Sequence, residues 1–256
     1  MEKNTSLQNL IQWFDEYVEG YYTGVEEFDY NISLKHLHTH RVLKRAAQLA
    51  EHLGIETELR CRAETAALLH DCGRFEQYRR YKSFRDDITV DHGHLGAQVV
   101  RDLNLLKGYG PEDRRDILFA VESHNKKELP ETPTRTALEI TKIVRDADRT
   151  DIFRVIADQL DNKDDPHVNT AFWGLEDRNE ISDPVYEAVL SGRPVDRGDM
   201  RTRIDFLCMV LSWVYLMNYP QSLELAAETG QVSRLTAHLP DTERGRKIRA
   251  EIGSFG

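Results

Sequence analysis

The sequence has few cysteines and no long hydrophobic run. Its three cysteines, Cys61, Cys72 and Cys208, are odd in number and widely spaced, which excludes a disulfide framework and a zinc-finger spacing. The longest apolar stretch, residues 206–217, is shorter than the ~20 residues that span a bilayer, so it predicts a buried helix and no membrane partner. Residues 1–22 carry acids where a secretory signal would carry lysines. We therefore expect a protein of the reducing cytoplasm.

The sequence also lacks a surplus of positive charge. Lys and Arg number 34 against 44 for Asp and Glu, a formal net charge of −10. This balance argues against a protein that grips long nucleic acid, because such proteins need a broad basic face. A small phosphorylated ligand needs only a local basic pocket and stays compatible with the composition.

Strand-like alternation, internal repeats and low-complexity tracts are missing as well. Almost every segment instead repeats its apolar residues at helical spacing, which predicts an all-α fold. Because no clear linker interrupts the pattern, we predict a single all-α domain over residues 1–256, with terminal helices packed on a central bundle.

The apolar spacing predicts where the helices lie. We expect helices at about residues 6–22, 34–53, 57–71, 91–106 and 134–160, and another that begins at Gly110-Pro111. Thr57 is expected to cap the third of these helices, and Leu95, Val99 and Leu103 to be buried on the fourth. Residues 74–90 are expected to form a polar, aromatic-rich connection, residues 161–166 a turn, and residues 191–201 a loop.

Four histidines and two aspartates lie on the inward faces of these predicted helices. They are His38, His70, Asp71, His92, His124 and Asp148. A buried carboxylate is costly unless it is paired or bound to metal, and a buried imidazole needs a hydrogen-bond partner. Any one of them alone is more simply a satisfied core residue, but divalent metal would satisfy all six at once.

Other histidines and acids provide a contrast. We expect the following residues, which lie off the inward stripes, to be surface or supporting groups: His36, His40, His94 and Asp146. The remaining histidines show no pattern and are expected to be solvated: His52, His167 and His238.

The motifs that carry the six residues occur in a distinctive order: HTHRV, LLHDCGR, HGHLGA, ESHNK and RDADRTD. Over about residues 32–155 this order resembles the HD-domain superfamily of metal-dependent phosphohydrolases. The longer string HDCGRFEQYRRYKSF is similar to a bacterial branch that has no named substrate. The resemblance implies an HD-domain helical bundle with added N- and C-terminal helices. Its metal-bearing core would cover residues 30–160, and residues 161–256 would form a C-terminal helical extension packed on that core.

The resemblance also implies a ligand set and a cofactor. His38, His70, Asp71 and Asp148 would bind one metal, and His92 and His124 a second, with Asp71 as the bridge. Imidazole and carboxylate ligands suit Fe, Mn, Ni, Co or Zn, and Mg stays compatible. We expect about two divalent ions per chain.

The implied catalytic residues are Asp71 and Arg74. Many dinuclear members carry Lys at the position of Arg74, and Arg keeps the charge that binds phosphate but puts a role as proton donor in doubt. The stretch after Arg74 interleaves basic and aromatic residues, which suits a phosphate beside a base or sugar, or equally a solvated loop. The implied substrate-binding residues are Arg74, Tyr78, Arg79, Arg80, Tyr81 and Lys82.

Three functions stay open at this point. The first is hydrolysis of a phosphate ester of a nucleotide or other small phosphorylated metabolite by metal-activated hydroxide, as a phosphomonoesterase or phosphodiesterase. The second is an HD-fold di-iron oxygenase of a small polyol or phosphonate. The third is a non-catalytic ligand-binding or regulatory module, although a site freed of catalysis has no need for six buried polar groups. The sequence is compatible with a homo-oligomer and does not define the oligomeric state.

Overall fold

The computed structural model describes residues 2–131, 134–162 and 174–255, with side chains from residue 7 onward. Within these ranges the chain is helical, and the isolated β-bridge between Glu176 and Thr202 is its one strand-like pairing. The all-α prediction is confirmed for this part of the chain. The solvated state expected for His167, and most of the turn expected at 161–166, lie outside the described residues.

Backbone contacts divide the chain into two compact units, residues 1–148 and 149–256. The division falls within helix α7, Arg135–Asp161, so each unit contains part of this helix. The single domain expected from the sequence, and the packing of the C-terminal extension on the core, stay predictions.

The first unit consists of helices joined by short connections. Besides the first part of α7, its helices are α1 Glu2–Glu19, α2 Glu26–His52, α3 Thr57–Leu69, α4 Cys72–Tyr81, α5 His92–Asp102 and α6 Pro111–Ser123. The cap of α3 is Glu56, whose side chain accepts from the backbone of Glu58 and Leu59, so the expectation that Thr57 is the cap was wrong. Asp91 caps α5 in the same way through Gly93 and His94, which makes His92 the first residue of that helix.

Helix α4 lies where the sequence predicted an irregular connection, and that prediction was wrong for residues 74–81. The buried face of α4 includes Cys72, Phe75 and Tyr78, at a spacing of three residues. The arginines and polar residues between them hide this short apolar period in the sequence. The helix ends at Lys82, whose φ of 53° is left-handed.

Helix α5 buries a different face from the one predicted. Leu103 is 52% exposed, and the buried residues of the helix body are small ones, among them Gly96 and Ala97. The reason is a close approach of backbones, because a Cβ atom on Gly73 of α4 would lie 2.6 Å from the backbone nitrogen of Gly96. Only glycine at Gly73 allows α4 and α5 to pack this closely.

The second unit surrounds an apolar core. Besides the end of α7, its helices are α8 Asp183–Leu190, α9 Arg203–Leu211, α10 Pro220–Glu228, α11 Gln231–Ala237 and α12 Glu243–Ile252. The buried helix predicted at 206–217 is confirmed as α9, followed by a 3-10 turn at Ser212–Leu216. A capping box between Thr202 and Asp205 starts α9. Among the described helices, none has both the length and the apolar character that a membrane crossing requires.

Candidate metal centre

The structure brings all six predicted ligand residues together at the ends and faces of helices in the first unit. His38 lies within α2, His70 follows α3, Asp71 precedes α4, His92 begins α5, His124 follows α6 and Asp148 lies within α7. The four histidines and Asp71 are buried, and the Asp148 side chain is 18% exposed. Six helix termini or faces thus deliver polar side chains to one interior point.

Asp71 lies at the centre of this cluster, with each carboxylate oxygen facing one pair of imidazoles. Its Oδ2 atom is 3.7 Å from His38 Nε2 and 3.6 Å from His70 Nε2. Its Oδ1 atom is 3.3 Å from His92 Nε2 and 3.8 Å from His124 Nε2. The cluster therefore has two halves that share one carboxylate.

Asp148 belongs to the half that contains His38 and His70. Its Oδ1 atom lies 3.0 Å from His38 Nε2 and 3.9 Å from His70 Nε2. In the other half, His92 Nε2 and His124 Nε2 are 2.9 Å apart. Ligand atoms of three residue triplets lie within 4.8 Å of one another: His38, His70 and Asp71; His70, His124 and Asp148; Asp71, His92 and His124.

Hydrogen bonds on the far side of the rings fix which nitrogen points into the cluster. His70 Nδ1 is 2.7 Å from the Ala67 carbonyl, and His124 Nδ1 is 2.7 Å from the Val121 carbonyl. A carbonyl oxygen only accepts, so Nδ1 carries the proton in both rings and Nε2 presents a lone pair to the cluster. His92 Nδ1 likewise faces a carboxylate, Asp86 Oδ2, at 2.6 Å.

The electrostatics hold the ligands in the protonation states that metal binding needs. Burial lowers the pKa of His70 to about 4. Burial, with the charge of Arg74 as the next cause, lowers the pKa of His92 to about 3. Burial would raise the pKa of Asp71, but the positive charge of Lys35 and its other neighbours hold it well below the usual value. At neutral pH the two imidazoles are neutral and the carboxylate is ionised, as in metal sites.

Two features of the donor set show that the residues fit a divalent metal. His70 Nε2 is buried and has no hydrogen-bond partner among the described residues. The Nε2 atoms of His92 and His124 approach to 2.9 Å, and their Nδ1 partners direct both lone pairs into this gap. Two such lone pairs repel each other unless a cation lies beside them. Imidazole nitrogens with carboxylate oxygens are the ligands of Zn, Fe, Mn, Co and Ni.

Asp86 is a supporting residue that the sequence reasoning missed. Besides facing His92, its carboxylate accepts from Arg74 Nη1 at 3.0 Å, Gln77 Nε2 at 2.9 Å and Asn125 Nδ2 at 3.1 Å. Burial would raise the pKa of Asp86, but the hydrogen bond with His92 and the charge of Arg74 lower it. Asp86 lies in a connection without periodicity, so no sequence pattern pointed to it.

Lys35 was missed as well, although a signal was present. Its Nζ atom is 2.9 Å from Asp71 Oδ2 and 5.6 Å from the centre of the Phe84 ring. Lys35 precedes His38 by three residues, and residues three apart share one face of a helix. That spacing could have placed Lys35 beside the cluster.

Arg74 lies beside Asp71 and also ties α4 to the connection that follows it. Its Nε atom is 3.5 Å from Asp71 Oδ1. Its Nη1 atom donates to the Phe84 carbonyl at 2.6 Å, as well as to Asp86 and Gln77. This residue therefore joins the cluster to the chain segment that orients His92.

The other residues predicted to bind substrate lie toward the far end of α4. At 1.5 Å per residue, Arg79 is about 12 Å along the helix from Asp71. Tyr78 is 8% exposed and stacks on Phe84 at 4.7 Å. Arg79 and Arg80 both pair with Glu76. Tyr81 is 45% exposed, and the Lys82 ammonium lies over the Phe28 ring. The structure does not bring these side chains to the cluster.

The residues expected outside the cluster differ in how exposed they are. His94 is exposed and faces Glu122, and His36 and His40 both face Asp15. His52 is exposed as expected. The His238 side chain is only 18% exposed and faces Asp161, so the solvated state expected for it was wrong. Asp146 is fully buried, which excludes the surface position and leaves the supporting role that was the other expectation for it. On α7, residues on more than one face of the helix are buried. A single apolar stripe in the sequence does not predict this.

The helical fold and the buried histidine–aspartate cluster together define the class: a helical protein with a candidate metal-binding centre. Comparison with protein families gives the family: residues 37–152 match the HD domain, and this part of the chain is an HD domain. HD domains are generally metal-dependent hydrolases. Comparisons with curated proteins and with solved structures found no match.

Proposed function

We propose that this protein is a phosphohydrolase with two divalent metal ions held by His38, His70, Asp71, His92, His124 and Asp148. The observation that carries the proposal is the Asp71 carboxylate, whose two oxygens each face a separate pair of imidazoles. When bound, such metals lower the pKa of water and neutralise charge on phosphate oxygens. In this assignment Asp71 would help to hold both ions, together with the imidazoles beside each of its oxygens.

Positive side chains beside Asp71 support a phosphate substrate. Lys35 Nζ and the Arg74 guanidinium lie on the Oδ2 and Oδ1 sides of Asp71, at 2.9 and 3.5 Å. Both also lie within 6 Å of the Phe84 ring centre, at 5.6 and 5.8 Å. Lys35 and Arg74 would bind phosphoryl oxygens and stabilise charge in the transition state. Arg74 would be the catalytic residue of this pair that the sequence pointed to.

We further propose a nucleotide or another small phosphorylated metabolite as the substrate. The net charge of −10 disfavours long nucleic acid, whereas the local positive charges of Lys35 and Arg74 are sufficient for a small anion. The Phe84 ring, near both Lys35 and Arg74, would offer an apolar surface for a base or sugar. Contacts of a larger substrate with Tyr78, Arg79, Arg80, Tyr81 and Lys82 stay a prediction. The three free thiols support the reducing cytoplasm as the location.

The test is metal content and phosphate release in matched variants. Protein purified without oxygen is assayed by elemental mass spectrometry and against a panel of nucleotides and sugar phosphates. We expect Asp71→Asn to lose both metal and phosphate release, and the exposed His94→Ala control to keep both.

Other outcomes would select another function. Iron in the protein together with oxygen uptake on a polyol or phosphonate, and no phosphate release, would favour the oxygenase. Ligand binding that survives in Asp71→Asn, without turnover by the wild type, would favour a binding module.

A further inference from the structure

A second group of metal-ligand side chains lies outside the buried centre, between α1 and α2. Asp15 Oδ1 is 2.8 Å from His36 Nε2 and 2.7 Å from His40 Nε2. The ligand atoms of these three residues lie within 4.8 Å of one another. Two imidazoles and one carboxylate thus converge on one point.

The backbone and a neighbouring ring position these ligands. His36 and His40 are four residues apart on α2, so both rings leave the same face of the helix. The Phe14 ring packs edge-on against both imidazoles, with centroids 5.7 Å away in each case. Phe14 is fully buried and precedes Asp15 directly, so it anchors the rings and the carboxylate together.

We infer that Asp15, His36 and His40 form a separate site for a transition-metal ion such as Zn²⁺, which fastens α1 to α2. Two imidazoles and one carboxylate are a ligand set that zinc takes, with water as the fourth ligand. Tetrahedral bonds of about 2.0 Å place ligand atoms about 3.3 Å apart, so the present contacts need to widen by about 0.5 Å. The half-exposed Asp15 side chain has room for this shift.

This site is distinct from the buried centre, although α2 contributes to both. His38 lies two residues from His36 and from His40, and on a helix this spacing points to roughly the opposite side. His38 is 2% exposed and faces Asp71 and Asp148, whereas the His36 and His40 side chains are 23% and 34% exposed. An ion at the outer site would therefore exchange with solvent more readily than an ion held by the buried ligands of the inner site.

The outer site would secure a helix that supports the inner one. Tyr17 of α1 donates from its hydroxyl to the Cys72 carbonyl at 3.1 Å, next to Asp71. Phe14 and Tyr17 also pack edge-on against Phe75 of α4. Metal between Asp15, His36 and His40 would therefore hold α1 against the part of the chain that presents Asp71.

The experiment counts zinc in folded variants after equilibrium dialysis against Zn²⁺. Wild type, the His36→Asn/His40→Asn double variant and a His94→Asn control are compared by elemental mass spectrometry. We expect the double variant to bind one Zn²⁺ fewer than wild type, and the control to match wild type. In Asp71→Asn the outer ion remains, so failure of the buried centre is distinguishable from failure of this site.

Hydrogen exchange of the α1 amides tests the fastening role. We expect Zn²⁺ to slow this exchange in wild type and to leave it unchanged in the double variant. Equal zinc content in wild type and the double variant would overturn the proposal. If circular dichroism shows that the double variant does not fold, Asp15→Asn takes its place, because it removes one ligand and keeps a hydrogen-bond acceptor.

Discussion

The two units each bury an aspartate, and the partners of the two carboxylates differ. In the second unit, Asp205 accepts from Ser182 N at 2.9 Å, Ser182 Oγ at 2.6 Å, Arg201 N at 2.9 Å and Thr202 N at 3.1 Å. In the first unit, Asp71 accepts from Lys35 Nζ at 2.9 Å and lies 3.5 Å from Arg74 Nε. Four imidazole nitrogens also face it, and one of them, His70 Nε2, has no hydrogen-bond partner among the described residues. The neighbours of Asp205 are all hydrogen-bond donors, whereas those of Asp71 include imidazole nitrogens that present lone pairs.

This comparison separates a structural buried charge from a functional one. A buried carboxylate surrounded by N–H and O–H donors needs nothing further and serves to fix loops and helix ends. A buried carboxylate that also faces nitrogen lone pairs is stabilised further when a metal cation binds between them. Burial alone therefore does not identify a site, whereas the kind of neighbour does.

The largest expected effect comes from Asp71→Asn, which removes the shared carboxylate of the cluster. Metal stabilises transition-state charge by several kcal/mol, so its loss lowers kcat/KM for phosphate release by about a thousandfold or more. Kinetic assays at saturating metal measure this change. A variant that kept wild-type kcat/KM would show that Asp71 is a second Asp205, a structural residue only.

The next largest effect is expected for Gly73→Ala at the contact of α4 and α5. The new Cβ would lie 2.3 Å from the His92 carbonyl, so the helices must separate, at a cost of about 3 kcal/mol of unfolding free energy. Because His92 moves with α5, metal affinity falls as well. Urea unfolding and metal titration measure both. Gly253→Ala, which meets nothing within 4 Å, is the control and should change neither.

Asp205→Ala tests the structural side of the comparison. It leaves the Ser182 and Thr202 donors unsatisfied and removes the capping box of α9. We expect unfolding free energy to fall by about 2 to 3 kcal/mol, while metal content per folded chain stays at the wild-type value. Chemical unfolding and elemental analysis check this together. Loss of metal from a folded variant would contradict the separation of roles.

The smallest effect in this series is expected for Asp86→Asn. The amide still occupies the space beside His92 Nδ1 but no longer supplies the negative charge that orients the ring. Changes at such supporting residues weaken metal affinity or activity by about 10- to 100-fold. Competition with a chelator measures the affinity. Glu76→Gln on α4, where the carboxylate pairs with Arg79 and Arg80 and not with His92, should leave metal affinity unchanged.

Much of the cluster could be predicted from the sequence, and the reasons are local. His38 and His124 continue apolar stripes, so helical periodicity turns them inward. Helix α4 could not be predicted, because arginines interrupt the short apolar face of Cys72, Phe75 and Tyr78. The inward face of α5 depends on Gly73, which belongs to another helix, and a periodicity within one helix does not contain that contact.

The supporting residues show a similar limit. Asp86 reaches His92 from an irregular connection, where the backbone path alone decides which side chains meet. Lys35 lies on the stripe of His38 and was within reach of the same reasoning, but a lysine is ordinarily solvent-exposed. The roles of Asp86 and Lys35 thus depend on tertiary contacts. Tertiary structure also places Tyr78, Arg79 and Arg80 away from the cluster, although Asp71 is near them in the sequence.

The most direct test of the central claim is the difference in metal content between wild type and Asp71→Asn, purified side by side without oxygen. If one carboxylate joins two metal positions, the variant holds about two ions per chain fewer than wild type. The difference leaves out any ion bound at Asp15, His36 and His40. Equal metal content in the two folded proteins would contradict the account, because Asp71 would then hold no metal.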